Sequence, residues 1–198
     1  MNVGVLAVQG AVSEQEAALR AAGQSMGLDV EVVAVRTPAD LARVSGIVLP
    51  GGESTTISRL LRAQGLQVPL LERAGKDLAV FGTCAGMILL ADRAEHDVAD
   101  KDIVLLRLLD AEVDRNAFGR QRDSFEAVLD VAAIGPMPAV FIRAPAYTTV
   151  GDVAVLARFD GKVVAAEHGL VLAAAFHPEL TPDTRLHERF LELCQRAS

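Results

Sequence analysis

The chain predicts an α/β fold in three layers: a mostly parallel central sheet flanked by helices, with antiparallel additions. Three observations predict it. Apolar runs recur at 3–8, 30–35, 46–49 and 78–81, with segments of helical composition between them, the alternation that parallel strands and crossover helices produce. The first of them, at 3–8, carries no polar residue in alternation and looks like a parallel strand buried on both faces. After about residue 103 the texture changes to shorter candidates at 103–113, 124–131, 139–142, 153–159, 163–166 and 170–176. Turn signals such as Gly135-Pro136 and Asp160-Gly161 separate them, which suits antiparallel strands.

The elements follow in order. The first strand begins almost at the first residue, with no basic leader or cleavage site ahead of it, so the cytoplasm is the expected compartment. Segment 13–26 reads as a helix, and Ser13 with Glu16 three residues later has the capping-box pattern. The run ending at Phe81 leads into Gly82-Thr83-Cys84-Ala85-Gly86 and then a helix-like apolar run at 87–91. Residues 133–138 read as loop, and 182–195 as a final amphipathic helix with Leu186, Phe190, Leu191 and Leu193 available for packing. No internal repeat or low-complexity linker divides the chain. Its 198 residues suffice for one domain with a substantial core, spanning 1–198.

Composition excludes several classes of function. Lys plus Arg is 19 against 26 for Asp plus Glu, a net charge of −7, and the basic residues are scattered, so no nucleic acid is expected as partner. No run of about eighteen uncharged apolar residues is present to enter a membrane. His96, His168, His177 and His187 show no paired ligand spacing with Cys84 or Cys194, so neither metal nor cofactor is expected. Cys84 and Cys194 read as free thiols, Cys194 as half-buried and inert.

Cys84 carries the chemistry. A thiol between small residues where a strand turns sharply into a helix has the form of a nucleophile elbow. The helix that follows turns its first amides toward the sulfur, favouring the thiolate and leaving N–H groups for an oxyanion. A base is found at the end of another apolar run, Ala173-Ala174-Ala175-Phe176-His177-Pro178-Glu179, with a carboxylate two residues later. Cys84, His177 and Glu179 can therefore form a triad. A third strand ends in Leu49-Pro50-Gly51-Gly52-Glu53-Ser54-Thr55-Thr56. Alone this is equally a strand-to-helix turn in which the hydroxyls start the helix and Glu53 serves its dipole. Beside a cysteine elbow, the amides of Gly52 and Ala85 become candidate oxyanion donors, each worth about 2.7–4 kcal/mol of transition-state stabilisation.

Seven blocks then fall in order: Gly4 to Val12, Leu49 to Thr56, Gly82 to Gly86, Asp114 to Gln121, Asp123 to Glu126, Val140 to Pro145 and Phe176 to Leu180. Together they resemble the class I, triad glutamine amidotransferase family, and within it the glutaminase subunits of pyridoxal 5′-phosphate synthase. The resemblance implies the flavodoxin-like architecture of that family, and glutamine hydrolysis to glutamate and ammonia through a Cys84 thioester, with His177 and Glu179 as base and orienting carboxylate. It implies substrate contacts from Gly52, Glu53, Ser54, Arg115, Ile142 and Arg143, and leaves open which arginine meets the α-carboxylate. It also implies a hetero-oligomer with a separate (β/α)₈ synthase subunit, which uses the ammonia to make pyridoxal 5′-phosphate. Arg120 and Arg122 read as a solvated charge cluster.

Two departures stand out. The family usually continues after the first block with an Arg-Glu-His-like stretch, where this chain has Ser13-Glu14-Gln15-Glu16; if that region touches the partner, docking differs in detail. Segment 22–33 is longer than in compact members, most simply a lengthened helix or loop. Two alternatives remain: a glutaminase serving imidazole glycerol phosphate or purine synthesis, and a non-catalytic regulatory module on the same scaffold.

Overall fold

The early apolar runs become neighbouring parallel strands in a computed structural model that describes residues 1–94, 103–118 and 124–197. They are β1 (Asn2–Leu6), β2 (Glu31–Val35), β3 (Gly46–Leu49) and β4 (Ala79–Thr83), paired in the order β2-β1-β3-β4. A late strand, β12 (Val171–Ala174), adds in parallel to β4. Every residue of β3, β4 and β12 is buried, because helices cover both faces of this part of the sheet. Those helices are α1 (Val12–Ser25), α2 (Pro38–Leu41), α3 (Ser54–Ala63), α4 (Gln67–Arg73), α5 (Ala85–Leu90) and α6 (Arg185–Ala197). On α6, Leu186, Phe190, Leu191 and Leu193 are all buried as the amphipathic pattern requires, packed on α1 and on β3 and β4; each such burial contributes about 1.5–3 kcal/mol.

Beyond β12 the sheet turns antiparallel. β11 (Lys162–His168) pairs with β12 and with β9 (Ala146–Val150), β9 with β6 (Leu109–Asp114), and β10 (Ala154–Phe159) pairs with β11 off the main path. β5 (Ala91–Ala94) closes the edge in parallel with β6. A separate antiparallel ribbon is formed by β7 (Ser124–Val131) and β8 (Gly135–Ile142). The mostly parallel centre with antiparallel additions is the architecture the sequence predicted. No helix among the described residues is long and apolar enough to cross a membrane.

Several expectations are corrected. The predicted capping box does not form: α1 starts at Val12 with no side-chain cap, Ser13 donates to Glu14 at 2.9 Å, and Glu16 pairs with Arg20 at 3.1 Å. The turn at Gly10, with φ of 110°, brings the chain into the helix earlier than a serine cap would. Residues 135–138, read as loop, belong to β8. Its two prolines are tolerated because β8 has a neighbour on one side only. Residues 103–108 lie outside any strand, and β6 begins at Leu109. Strands β5 and β9 were not anticipated; β5 is a four-residue edge piece with little apolar signal. Cys194 is fully buried rather than half-buried, and burial pushes its thiol up to about 12. Within the departing stretch Ser13–Glu16, Gln15 faces the interior, so its own side chain is no docking contact, whereas Ser13 and Glu14 are exposed. His96, Arg120 and Arg122 lie outside the described residues.

Topology locates a crevice. β1 has β2 on one side and β3 on the other, so successive crossovers leave it in opposite directions. Ligands in open parallel sheets gather outside the carboxyl ends of the strands at such a point.

Candidate active site

Four adjacent parallel strands, β1, β3, β4 and β12, end at this crevice, and each hands over a loop. Register sets the loops level: Leu49 pairs with Gly82 and Ala174 with Thr83. Gly51 and Cys84 therefore each stand two residues beyond the Leu49–Gly82 pair, and His177 follows three beyond Ala174.

The elbow forms as the small residues around Cys84 suggested. Cys84 has φ 49° and ψ −103°, a conformation that side-chain-bearing residues adopt only when their surroundings impose it. Its N–H donates to Ala174 at 2.8 Å, pinning the turn to β12. Gly86 must be glycine because a Cβ there would collide with the Leu49 carbonyl oxygen. With α5 starting at Ala85, its first amides have no carbonyl above them in the helix and remain available to a ligand.

His177 lies opposite. Its backbone N–H donates to Val140 at 2.8 Å, which fixes the loop after β12 against β8. Its Nδ1 meets Glu179 Oε1 at 2.8 Å, and the Glu179 side chain is wholly buried. Burial works against a charged ring, yet hydrogen bonding to Cys84 and Glu179 and the charges of both raise the His177 pKa to about 10. Its position between sulfur and carboxylate thus favours the protonated ring. Gly51 packs against this pair so closely that a Cβ would strike His177 Cε1.

Glu53 decides the reading of the glycine loop in part. It is the N-cap of α3: its carboxylate accepts from the Thr55 and Thr56 amides at 3.2 and 2.7 Å and from the Thr56 hydroxyl at 2.8 Å. Partial burial opposes ionisation, but those hydrogen bonds prevail and lower its pKa. The cap is therefore a carboxylate and not one of the hydroxyls. Arg115 reaches the same loop, donating to Ser54 Oγ at 3.0 Å and standing 3.6 Å from Glu53 Oε1. Its Nε is buried with no partner. The Cys84 sulfur lies 3.8 Å from the Ile142 carbonyl oxygen, and Arg143 follows with φ of 42° on the exposed rim.

A cavity of about 510 Å³ joins these groups. Gly52, Glu53, Ser54, Cys84, Ala85, Arg115, Ile142, Arg143 and His177 all line it, with Glu179 behind the histidine. Every site residue read from the sequence is thus brought to one place. The cavity also takes in Gln9, Gly10, Ala11 and Asn116, for which no role was foreseen. Gln9 Oε1 accepts from the Glu53 amide at 3.0 Å. A polar residue just past the first parallel strand was the available signal. Among the described residues no group of three His, Cys, Asp or Glu side chains is placed to hold a metal.

Comparison with known proteins shows the family. The pyridoxal 5′-phosphate synthase subunit PdxT of Archaeoglobus fulgidus is 52% identical over 194 residues, covering 98% of each chain. The subunit of the same name from Pelotomaculum thermopropionicum is 52% identical over 200 residues, covering 100% of this chain and 97% of the relative. A crystal structure of a glutamine amidotransferase matches with a TM-score of 0.87 and 44% identity over 98% of each chain. The glutaminase domain of Trypanosoma brucei CTPS with bound acivicin, at TM-score 0.61 and 12% identity over 99% of this chain and 94% of that one, shares the fold. The model of the SNO glutamine amidotransferase family matches residues 5–196, and with an elbow cysteine, a histidine and a glutamate converging on one cavity, the chain belongs to that family.

Proposed function

We propose that residues 1–198 form a single amidotransferase domain, the glutaminase subunit of a pyridoxal 5′-phosphate synthase. It hydrolyses L-glutamine to L-glutamate and passes the ammonia to a (β/α)₈ synthase subunit in a hetero-oligomer. The observation that carries this reading is the joint placement of Cys84, His177 and the Gly51-Gly52 loop in one cavity with Glu179 behind them, in a chain so similar to PdxT subunits.

The Cys84 sulfur attacks the side-chain carboxamide carbon, and the amides of Gly52 and Ala85 hold the oxygen as it becomes an oxyanion. His177, already protonated, gives its proton to the departing nitrogen, and ammonia leaves as the γ-glutamyl thioester forms. The neutral ring then takes a proton from water, whose hydroxide attacks the thioester and returns glutamate and the Cys84 sulfur. Glu179 orients the ring through Nδ1 and stabilises its charged form. Glutamine lies along Gly52, Glu53, Ser54, Ile142 and Arg143. Arg115 takes the α-carboxylate, since its guanidinium is the more buried and has an unused donor, and a planar fork bonds both carboxylate oxygens.

The test assays pyridoxal 5′-phosphate formation with the cognate synthase, from glutamine and from ammonium salts. Cys84→Ala should abolish synthesis from glutamine and leave synthesis from ammonium intact. Equal loss with both nitrogen sources would contradict the division of labour.

A further inference from the structure

Gln15, Thr83 and His187 are polar, wholly buried, and have no task in the chemistry above. They are joined. Gln15 Nε2 donates to Thr83 Oγ1 at 3.0 Å, and the backbone N–H of Gly51 donates to the same oxygen at 3.1 Å. On the far side His187 Nε2 meets Gln15 Oε1 at 2.9 Å. One hydrogen-bonded row therefore runs from α6 through α1 and the last residue of β4 to the first glycine of the oxyanion loop.

The row has a definite polarity. With the Gln15 amide nitrogen given to Thr83, its oxygen accepts, so His187 carries its proton on Nε2. Its Nδ1 is left buried with no partner. Burial lowers the His187 pKa to about 4, which keeps the ring neutral and the donor in place. Apolar side chains of the same volume would fill this space without such desolvation, so cohesion alone does not account for the row.

Its end point is a residue with no freedom to spare. The N–H of Gly51 is held by Thr83 and its carbonyl oxygen by the Ala11 N–H at 3.0 Å, while His177 blocks its Cα side. Ala11 precedes α1 and Gln15 lies in the first turns of that helix, so α1 grips both ends of Gly51. Any shift of Gly51 moves the Gly52 amide with it.

We propose that Gln15 and Thr83 are positioning residues for glutamine hydrolysis: they fix the Gly51 N–H, and with it the Gly51-Gly52 peptide, so that the Gly52 amide meets the oxyanion, and His187 locks the Gln15 amide. This rests on the glutaminase reading above.

Thr83→Val keeps the shape and removes the hydroxyl, Thr83→Ser restores it, and Gln15→Met replaces the amide at similar length. Each is assayed beside the synthase for glutamine hydrolysis, for melting temperature, and for alkylation of Cys84 by iodoacetamide, a displacement that develops no carbonyl oxyanion. In Thr83→Val and Gln15→Met kcat should fall about tenfold or more, with KM and the alkylation rate within about twofold of wild type. Thr83→Ser should recover most of kcat. The double variant should fall no further than the worse single one, because both act through one amide. Unchanged kcat beside an active wild type overturns the positioning role alone. Parallel loss of turnover, alkylation and melting temperature also overturns it, assigning the row to packing. A wild-type chain that releases no ammonia from glutamine beside the synthase removes the glutaminase reading and this inference together.

Discussion

At Cys84 and His177 local chemistry and backbone geometry act on the same two atoms. The cysteine is held at positive φ by its bond to β12, and the sulfur and carboxylate that flank the histidine raise its pKa. The folded-state pKa of His177 lies above the unfolded value of about 6.5. Its contribution to stability is therefore fully present below about pH 6.5 and is lost as pH rises through about 10. Nitrogen chemical shifts of the His177 ring should report a doubly protonated imidazole at pH 8 in the resting chain. Cys84→Ala, which removes one partner, should lower that titration by about one unit or more; a wild-type ring titrating near pH 6.5 would dismiss the ion pair. The placement of Cys84, His177 and Glu179 was legible in the sequence because they follow apolar runs, and small flanking residues betray an elbow. Glu53 was half legible. Its position announced a helix start, but only the folded loop shows the carboxylate bonding two amides and a hydroxyl.

Elements position these residues through packing that sequence pattern did not display. The β7–β8 ribbon docks through Phe125 and Phe141, which both meet Phe118 beyond β6 and Phe159 of β10, while Phe141 also meets Phe176 beyond β12; Phe125 and Phe141 stack at 4.6 Å. The same β8 strand supplies the Val140 carbonyl that holds His177 and the Ile142 carbonyl beside Cys84. Phe141→Ala should cost about 3–5 kcal/mol in urea unfolding and lower glutamine turnover as the ribbon loosens. A loss below about 1 kcal/mol would mean the ribbon is held by other contacts. The ribbon itself was only partly readable, since Gly135, Pro136 and Pro138 signal a turn to any local rule. A two-stranded edge relaxes that rule, and nothing local to 133–138 says the strand will have a single neighbour.

At the scale of the molecule, α6 closes against α1 and the parallel strands and seals His187 inside. Its pKa is depressed to about 4 by burial, so between about pH 6.5 and 4 the unfolded chain binds a proton that the folded chain refuses. Stability should fall across that window by about 3 kcal/mol from this group. Urea titrations at pH 7 and pH 4.5 should show most of that decline in wild type and a smaller one in His187→Gln. The same decline in both chains would assign acid sensitivity to the carboxylates instead.

The amino-acid sequence by itself determined the layered α/β class, the parallel centre, the cysteine elbow and the strand end that carries His177 and Glu179, because strand burial and tight turns leave short-range patterns. Tertiary structure alone decided that Gln15, Thr83 and His187 would meet and end on Gly51, that β8 would brace His177, and that Gln9 and Asn116 would line the cavity. Those contacts join residues as much as 172 positions apart, and partners that distant are fixed by sheet order and register rather than by any neighbourhood in the chain.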